Sequence, residues 1–302
     1  MSRLAAEMAE QPAVLSRVLE ANRGLAQLRH EIASRRRVVF VGIGSSRHVA
    51  CYGVACFEAL SSVPASLLAA PGAGVALPQF SPDDAVVIVS QSGSTPALIP
   101  VVEIACAAGA LVISLTNSPG SPLESRADVA LHAAAGVEDV IPATKSVTAS
   151  MLVVRALAAE VQPEELVAEV AAALAADWFG GVVPEVVVGS GFAAEAVSDE
   201  VALKLAEVTG RLAVAETVVD YLHGPAAVPA RVLALIDTDD PNAVTLEARP
   251  DVLAVRSARL QDRTLEAVLR VVIGQCLALR WAVALGVDPD DARGLAKVTL
   301  TL

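Results

Sequence analysis

Residues Val38–Gly44 read VVFVGIG, and residues Val186–Gly191 read VVVGSG. Each is a short apolar run, rich in β-branched residues, that ends in Gly-x-Gly. A run of this length without polar alternation is a strand covered on both faces, as in a parallel sheet. A helical pattern follows each one. The glycines permit a sharp turn and keep backbone N–H groups open at the start of the helix. Further runs extend the pattern. Ala85–Ser90 (AVVIVS) and Leu111–Thr116 (LVISLT) belong to the first half, Val232–Asp237 (VLALID) and Val252–Arg256 (VLAVR) to the second. Segments of helical composition such as Ala97–Ala108 lie between them. Alternating strands and helices predict parallel sheets with right-handed crossovers. The expected architecture is α/β, with two doubly wound parallel-sheet domains, each a flavodoxin-like three-layer sandwich. The first covers 35–160 and the second 178–302, after an N-terminal helical segment over 1–34.

The 302 residues suffice for one large domain or two of ordinary size. Hydrophobic residues make up 54% but aromatics only 3%, so the core must be built from Ala, Val and Leu. The longest apolar stretches are interrupted: Ile99–Leu115 by Glu103, and Leu265–Gly286 by Glu266, Arg270 and Arg280. No membrane span is therefore expected. The first twenty residues carry acids and lack the apolar centre of a signal peptide. A net charge of −12 disfavours nucleic acid and anionic lipid as partners. Cys51, Cys56, Cys106 and Cys276 form no Cys-x-x-Cys pair, so neither a metal nor a redox cofactor is expected. Each is read as a small core hydrophobe in a reducing, cytoplasmic setting.

The chemistry-bearing stretch of the first half is Ser90-Gln91-Ser92-Gly93-Ser94-Thr95, directly after the AVVIVS strand. Pro96 then marks a helix start. Hydroxyl and amide donors gathered at a helix N-terminus suit an anion, and they also suit a polar cap; composition leaves both open. The loop Gly42-Ile43-Gly44-Ser45-Ser46 has the same setting. A dinucleotide fingerprint would need a third glycine where Arg47 stands, so a small phosphomonoester fits better. In the second half, Glu200, Lys204 and Glu207 fall at i, i+4 and i+7 on one helix face. Spacing alone admits either an exposed charged stripe or a catalytic row. His223 precedes Gly224-Pro225 on a turn, and Lys297 lies near the C-terminus.

Taken together these segments resemble the sugar isomerase (SIS) domain family, in particular the isomerase half of glucosamine-6-phosphate synthase and the SIS-type glucosamine-6-phosphate deaminases. EMAEQPAVL (7–15), VFVGIGSS, SQSGST, GVEDVIPATKSVTA (136–149), EVALKLAE, HGP and GLAKVT follow in the family's order. The resemblance implies that Ser45, Ser46, Ser90, Gln91, Ser92 and Thr95 hold a sugar phosphate. It implies Glu207 as the base that moves a proton between C1 and C2, with Lys204 beside it. His223 matches a ring-opening histidine supplied by a neighbouring subunit, hence a homodimer with shared sites. Lys297 matches a Schiff-base lysine. Glu138, Thr144, Glu200 and Ala296 fall in other substrate-contacting segments. The chain departs from the pattern at Val201, where the synthase has glycine, at Asp220 for glutamate, and at Pro142.

The implied partner is a hexose or hexosamine 6-phosphate, and the implied reaction begins with proton abstraction at C2. Isomerisation with deamination of glucosamine 6-phosphate is the first expectation. Loss of water from N-acetylglucosamine 6-phosphate, cleavage of an amine-linked fructose 6-phosphate, and a non-catalytic sugar-phosphate sensor are the alternatives. The residues before Val38 leave no room for a glutaminase domain, so glutamine-dependent synthesis is not expected.

Overall fold

The computed structural model describes residues 2–69, 79–178 and 181–291. In chain order the elements are α1 (Arg3–Ala9), α2 (Gln11–Ala21), α3 (Leu25–Ala33), β1 (Arg37–Val41), α4 (Ser45–Leu60), β2 (Ala65–Leu68), β3 (Asp84–Ser90), α5 (Ile99–Ala107), β4 (Leu111–Thr116), β5 (Val129–His132) and α6 (Lys145–Ala158). They continue with α7 (Glu164–Ala175), β6 (Val186–Gly189), α8 (Ala194–Thr209), β7 (Val214–Thr217), α9 (Val218–His223), β8 (Val232–Ile236), α10 (Ala243–Glu247), β9 (Val252–Arg256) and α11 (Glu266–Leu285). The predicted helix at Pro96 begins as a single 3-10 turn, Pro96–Leu98, before α5 takes over.

All strand pairings are parallel. The first sheet has the order β2-β1-β3-β4-β5, the second β7-β6-β8-β9. Strands β3, β4 and β8 are buried along their whole length, which is why they read as unbroken apolar runs. In the first sheet, side chains alternate between two covered faces. Val39, Val41, Val86, Ile88 and Val112 pack against Leu98, Val101, Val102 and Ala105 of the α5 region. Phe40 points the other way, edge-on to Phe57 of α4 with ring centroids 5.4 Å apart. Such a pair contributes about 0.5–1.5 kcal/mol beyond burial. In the second sheet, Val186, Val188, Ala234 and Ile236 meet Tyr221 of α9 and Leu246 of α10, while α8 and α11 pack on each other.

Two compact units result. Ala13–Asp139 and Lys145–Gln162 make one; Val140–Thr144 and the described residues of 1–12 and 163–291 make the other. The division is not a single cut in the chain: α1 and α7 pack with each other, and α7 also packs on α11, so they belong to the unit of the second sheet.

By length and hydropathy the segment Arg263–Leu285 is apolar enough to cross a membrane, a feature hidden in the sequence by its interspersed charges. In the fold, 72% of its apolar window is buried, as in a core helix.

Candidate functional site

In the first sheet the chain leaves β1 for β2 on one side and returns to β3 on the other. The loops after β1 and β3 therefore part in opposite directions, and the crevice between them is where open α/β sheets take their ligands. Both predicted polar loops end there, because Val41 and Ile88 are register partners at neighbouring strand ends. Ser45 and Ser46 open α4 behind Gly44, whose φ of +59° makes the turn into the helix. Gly42 is required for close approach, since a Cβ there would lie 2.3 Å from the Ser46 carbonyl oxygen. After β3, the hydroxyls of Ser90 and Thr95 share a hydrogen bond of 3.0 Å. The Ser92 hydroxyl accepts from the Ser94 amide at 3.2 Å. Hydroxyls and the positive ends of helical segments thus line the crevice, the chemistry expected for an anion held without a cation.

A cleft of about 600 Å³ runs on from this point, lined by Gln91, Ser92, Asn117, Ser118, Gly136, Glu138 and others. Glu138 is buried and accepts from the Ser146 hydroxyl at 2.5 Å and the Ser146 amide at 3.2 Å, at the start of α6. Thr144, directly before α6, is also buried. Asn117 and Ser118 were not among the residues singled out from the sequence. The available signal was a polar pair at the end of a third buried strand.

On α8 the structure excludes the exposed-stripe reading of Glu200, Lys204 and Glu207. Glu200 and Lys204 are each only 1% exposed. Lys204 Nζ lies 3.5 Å from Glu200 Oε1 and also contacts Glu207 Oε2. The Glu207 side chain keeps 17% exposure and is the more exposed of the two carboxylates beside Lys204. A buried ammonium with carboxylates beside it is costly unless paired, and such groupings concentrate at functional sites.

His223 closes α9 and is exposed. Its Nδ1 donates to the Val219 carbonyl at 2.8 Å, which leaves Nε2 as the basic nitrogen. Asp220 accepts from the Thr217 hydroxyl at 2.6 Å as part of the α9 cap. Ala296 and Lys297 lie outside the described residues.

The equivalent crevice of the second sheet, between β6 and β8, is filled by the protein itself. Asp237 follows β8 and accepts from Arg263 Nη2 at 2.5 Å and from the fully buried Arg270 at 3.4 Å. Its own amide donates to Ser190 Oγ at 2.8 Å.

The cysteine reading needs correction. Cys56 and Cys276 are buried, and burial pushes the Cys276 thiol up to about 12. Cys51 is half-buried and Cys106 is exposed. Cys106 sits on the face of α5 turned away from Val101, Val102 and Ala105, the side that meets the sheet. Among the described residues no three His, Cys, Asp or Glu side chains are grouped to hold a metal ion.

Residues 31–160, which carry the crevice loops, the cleft and Glu138, match the family model for the SIS domain. The match to the SIS domain is thus confined to this part of the chain. It is 28% identical to the isomerizing glutamine–fructose-6-phosphate aminotransferase of Aeropyrum pernix, over 96% of this chain and 56% of that protein. The chain thus spans about half the length of that relative. Its fold is similar to glucosamine-6-phosphate deaminase from Thermotoga maritima, with a TM-score of 0.79 at 21% identity over 99% of this chain and all of the other. It is equally similar to tagatose-6-phosphate ketose/aldose isomerase from Escherichia coli, with a TM-score of 0.79 at 18% identity over 97% and 96% of the two chains.

Proposed function

We propose that this protein binds an amino sugar 6-phosphate and removes the proton at C2, acting as an aldose–ketose isomerase and deaminase on glucosamine 6-phosphate. The observation that carries this reading is the buried row on α8, with Lys204 held between Glu200 and the partly accessible Glu207. The relatives named for phosphosugar chemistry support it.

In this reading the phosphate lies on Ser45, Ser46, Ser90, Gln91, Ser92 and Thr95, with Glu138 and Thr144 towards the sugar. His223, exposed on α9, serves ring opening in the site of a second copy, so the working unit is a homodimer. Glu207 takes the C2 proton of the open-chain aldose, which the adjacent carbonyl acidifies, and returns it to C1. Lys204 supplies positive charge near the developing enediol-like anion. The product is a 2-imino ketose phosphate. Water adds to its C=N bond, and ammonia leaves as fructose 6-phosphate forms.

The test is mass analysis of products after separate incubation with glucosamine 6-phosphate and N-acetylglucosamine 6-phosphate. Fructose 6-phosphate and ammonia from the first are expected. Loss of one water from the second, with the first unchanged, would replace deamination by elimination from the same C2 anion. Binding without turnover of either would overturn the enzymatic reading.

A further inference from the structure

The loop that follows β5 forms one wall of the cleft and carries Glu138. It contains Ala134 at φ +48°, a left-handed conformation that a residue with a Cβ rarely adopts. Such a conformation persists where its surroundings enforce it. The next two residues are held by one side chain. The Ala135 amide donates to Asn117 Oδ1 at 2.9 Å, and Asn117 Nδ2 donates to the Gly136 carbonyl at 2.8 Å. The Asn117 backbone amide donates in turn to the Gln91 carbonyl at 2.9 Å. Both ends of the amide are thereby spent on the wall loop, while the main chain of the same residue is fastened to the crevice loop. Asn117 also lines the cleft.

We propose that Asn117 is a positioning residue: its side-chain amide clamps residues 134–139 in the strained form that gives the cleft its second wall, in register with the Gln91–Ser92 loop. The role fits an asparagine in particular, because the two bonds need one acceptor and one donor in a planar fork. Aspartate keeps the acceptor for Ala135 but loses the donor to Gly136. Alanine loses both. In its binding consequence the inference rests on the sugar-phosphate reading of the cleft; in its structural consequence it does not.

The experiment uses the full chain and the variants Asn117→Ala and Asn117→Asp. Amide exchange is followed by NMR, and binding is measured with two probes, inorganic phosphate and fructose 6-phosphate. In N117A the Ala135 amide should exchange about tenfold faster or more, while amides in α4 and β3 keep wild-type rates; in N117D its protection should largely remain. N117A should weaken fructose 6-phosphate about tenfold and leave inorganic phosphate within about twofold, because only the sugar reaches the wall. Unchanged exchange at Ala135 in N117A overturns the clamp. An unchanged ratio between the two probes overturns its role in binding. Failure of the underlying reading looks different: the wild type then binds neither probe, and the exchange data still decide whether Asn117 holds the loop.

Discussion

Val201 and Gly274 occupy one shared space: a Cβ built on Gly274 would lie 2.3 Å from Val201 Cγ2. Val201 is one of the positions where the chain departs from the pattern it resembles, which has glycine there. At 100° per residue it stands roughly a quarter turn from Glu200, Lys204 and Glu207. The extra carbons go towards α11, which has a glycine to receive them. Gly274→Ala should therefore cost about 1–3 kcal/mol by overpacking. Adding Val201→Ala should restore most of that loss, as measured by urea unfolding. A single G274A variant with wild-type stability would mean that the helices separate freely.

Gly93 makes a different demand. Its φ is +62°, and a Cβ there would lie 2.1 Å from Ser121 Oγ. Gly93→Ala meets both backbone strain and overlap, for a total of about 2–4 kcal/mol. The same change displaces Ser92 and the Ser90–Thr95 hydroxyl pair, so affinity for inorganic phosphate should fall as well. Combining it with Ser121→Gly should recover part of the stability but not all of it, because the strain in φ remains. Calorimetry on the two variants checks the split.

What was legible in the sequence follows from burial. The strands β1, β3, β4, β6 and β8 are interior, covered on both faces, and show as apolar runs; β9 shows as VLAVR although it is an edge. The other edge strands, β2 (ASLL), β5 (VALH) and β7 (VAET), are short and half-exposed, so their composition is mixed; β5 shows only as a strand-like ALH at His132, and β2 and β7 leave no clear pattern. The SQSGST loop was legible because polar residues crowd together after a buried strand. The spacing of Glu200, Lys204 and Glu207 was legible, but their burial was not, since it depends on what packs over α8. Asn117 was invisible because its partners are main-chain atoms of residues 135 and 136. The Asp237–Arg270 pair joins positions far apart in the chain, and no local pattern announces it.

Asp84 predicts the acid sensitivity of the first unit. Its side chain is fully buried at the start of β3, and burial pushes the carboxyl up. Arg37 and Arg36, together with the Ser81 amide, more than offset this and hold it below the usual aspartate value. A depressed folded-state pKa contributes stability that is present above the unfolded value, about 4, and is lost as pH falls through the folded one. Asp84→Asn should cost about 2–3 kcal/mol at pH 7, below the full value for a buried pair because Arg36 is half in solvent. The difference between variant and wild type should shrink as the wild-type carboxyl protonates. Urea midpoints between pH 7 and pH 2 test this; a constant difference would refute it.

Arg270 is fully buried on α11, beside Asp237 and Glu266, and donates to the Phe192 carbonyl at 3.0 Å. Burial pulls its guanidinium below the usual arginine value and pushes the Glu266 carboxyl up. Removing Arg270 takes away one of the two cations at these acids and leaves Arg263 alone to hold both. Arg270→Met should therefore cost about 3–5 kcal/mol, while Asp237→Asn with Arg270→Met should cost less than the sum of the single changes. Strict additivity in denaturant unfolding would show that the pair does not interact.

Glu207→Gln separates catalysis from structure on α8. Glutamine has nearly the shape of glutamate and still offers an oxygen to Lys204 Nζ, but it takes no proton near neutral pH. Glu207 keeps partial exposure, so the stability change should stay within about 1 kcal/mol. If Glu207 is the C2 base, kcat should fall by about 10²–10⁴-fold, the usual worth of a positioned general base. KM for the sugar phosphate should change little if, as proposed, the phosphate is held by the crevice loops after β1 and β3. Exchange of the C2 hydrogen with deuterated solvent should fall in parallel with kcat, because both pass through the same proton transfer. Turnover or exchange near the wild-type level in E207Q would remove Glu207 from that role and leave its contact with Lys204 as a structural one.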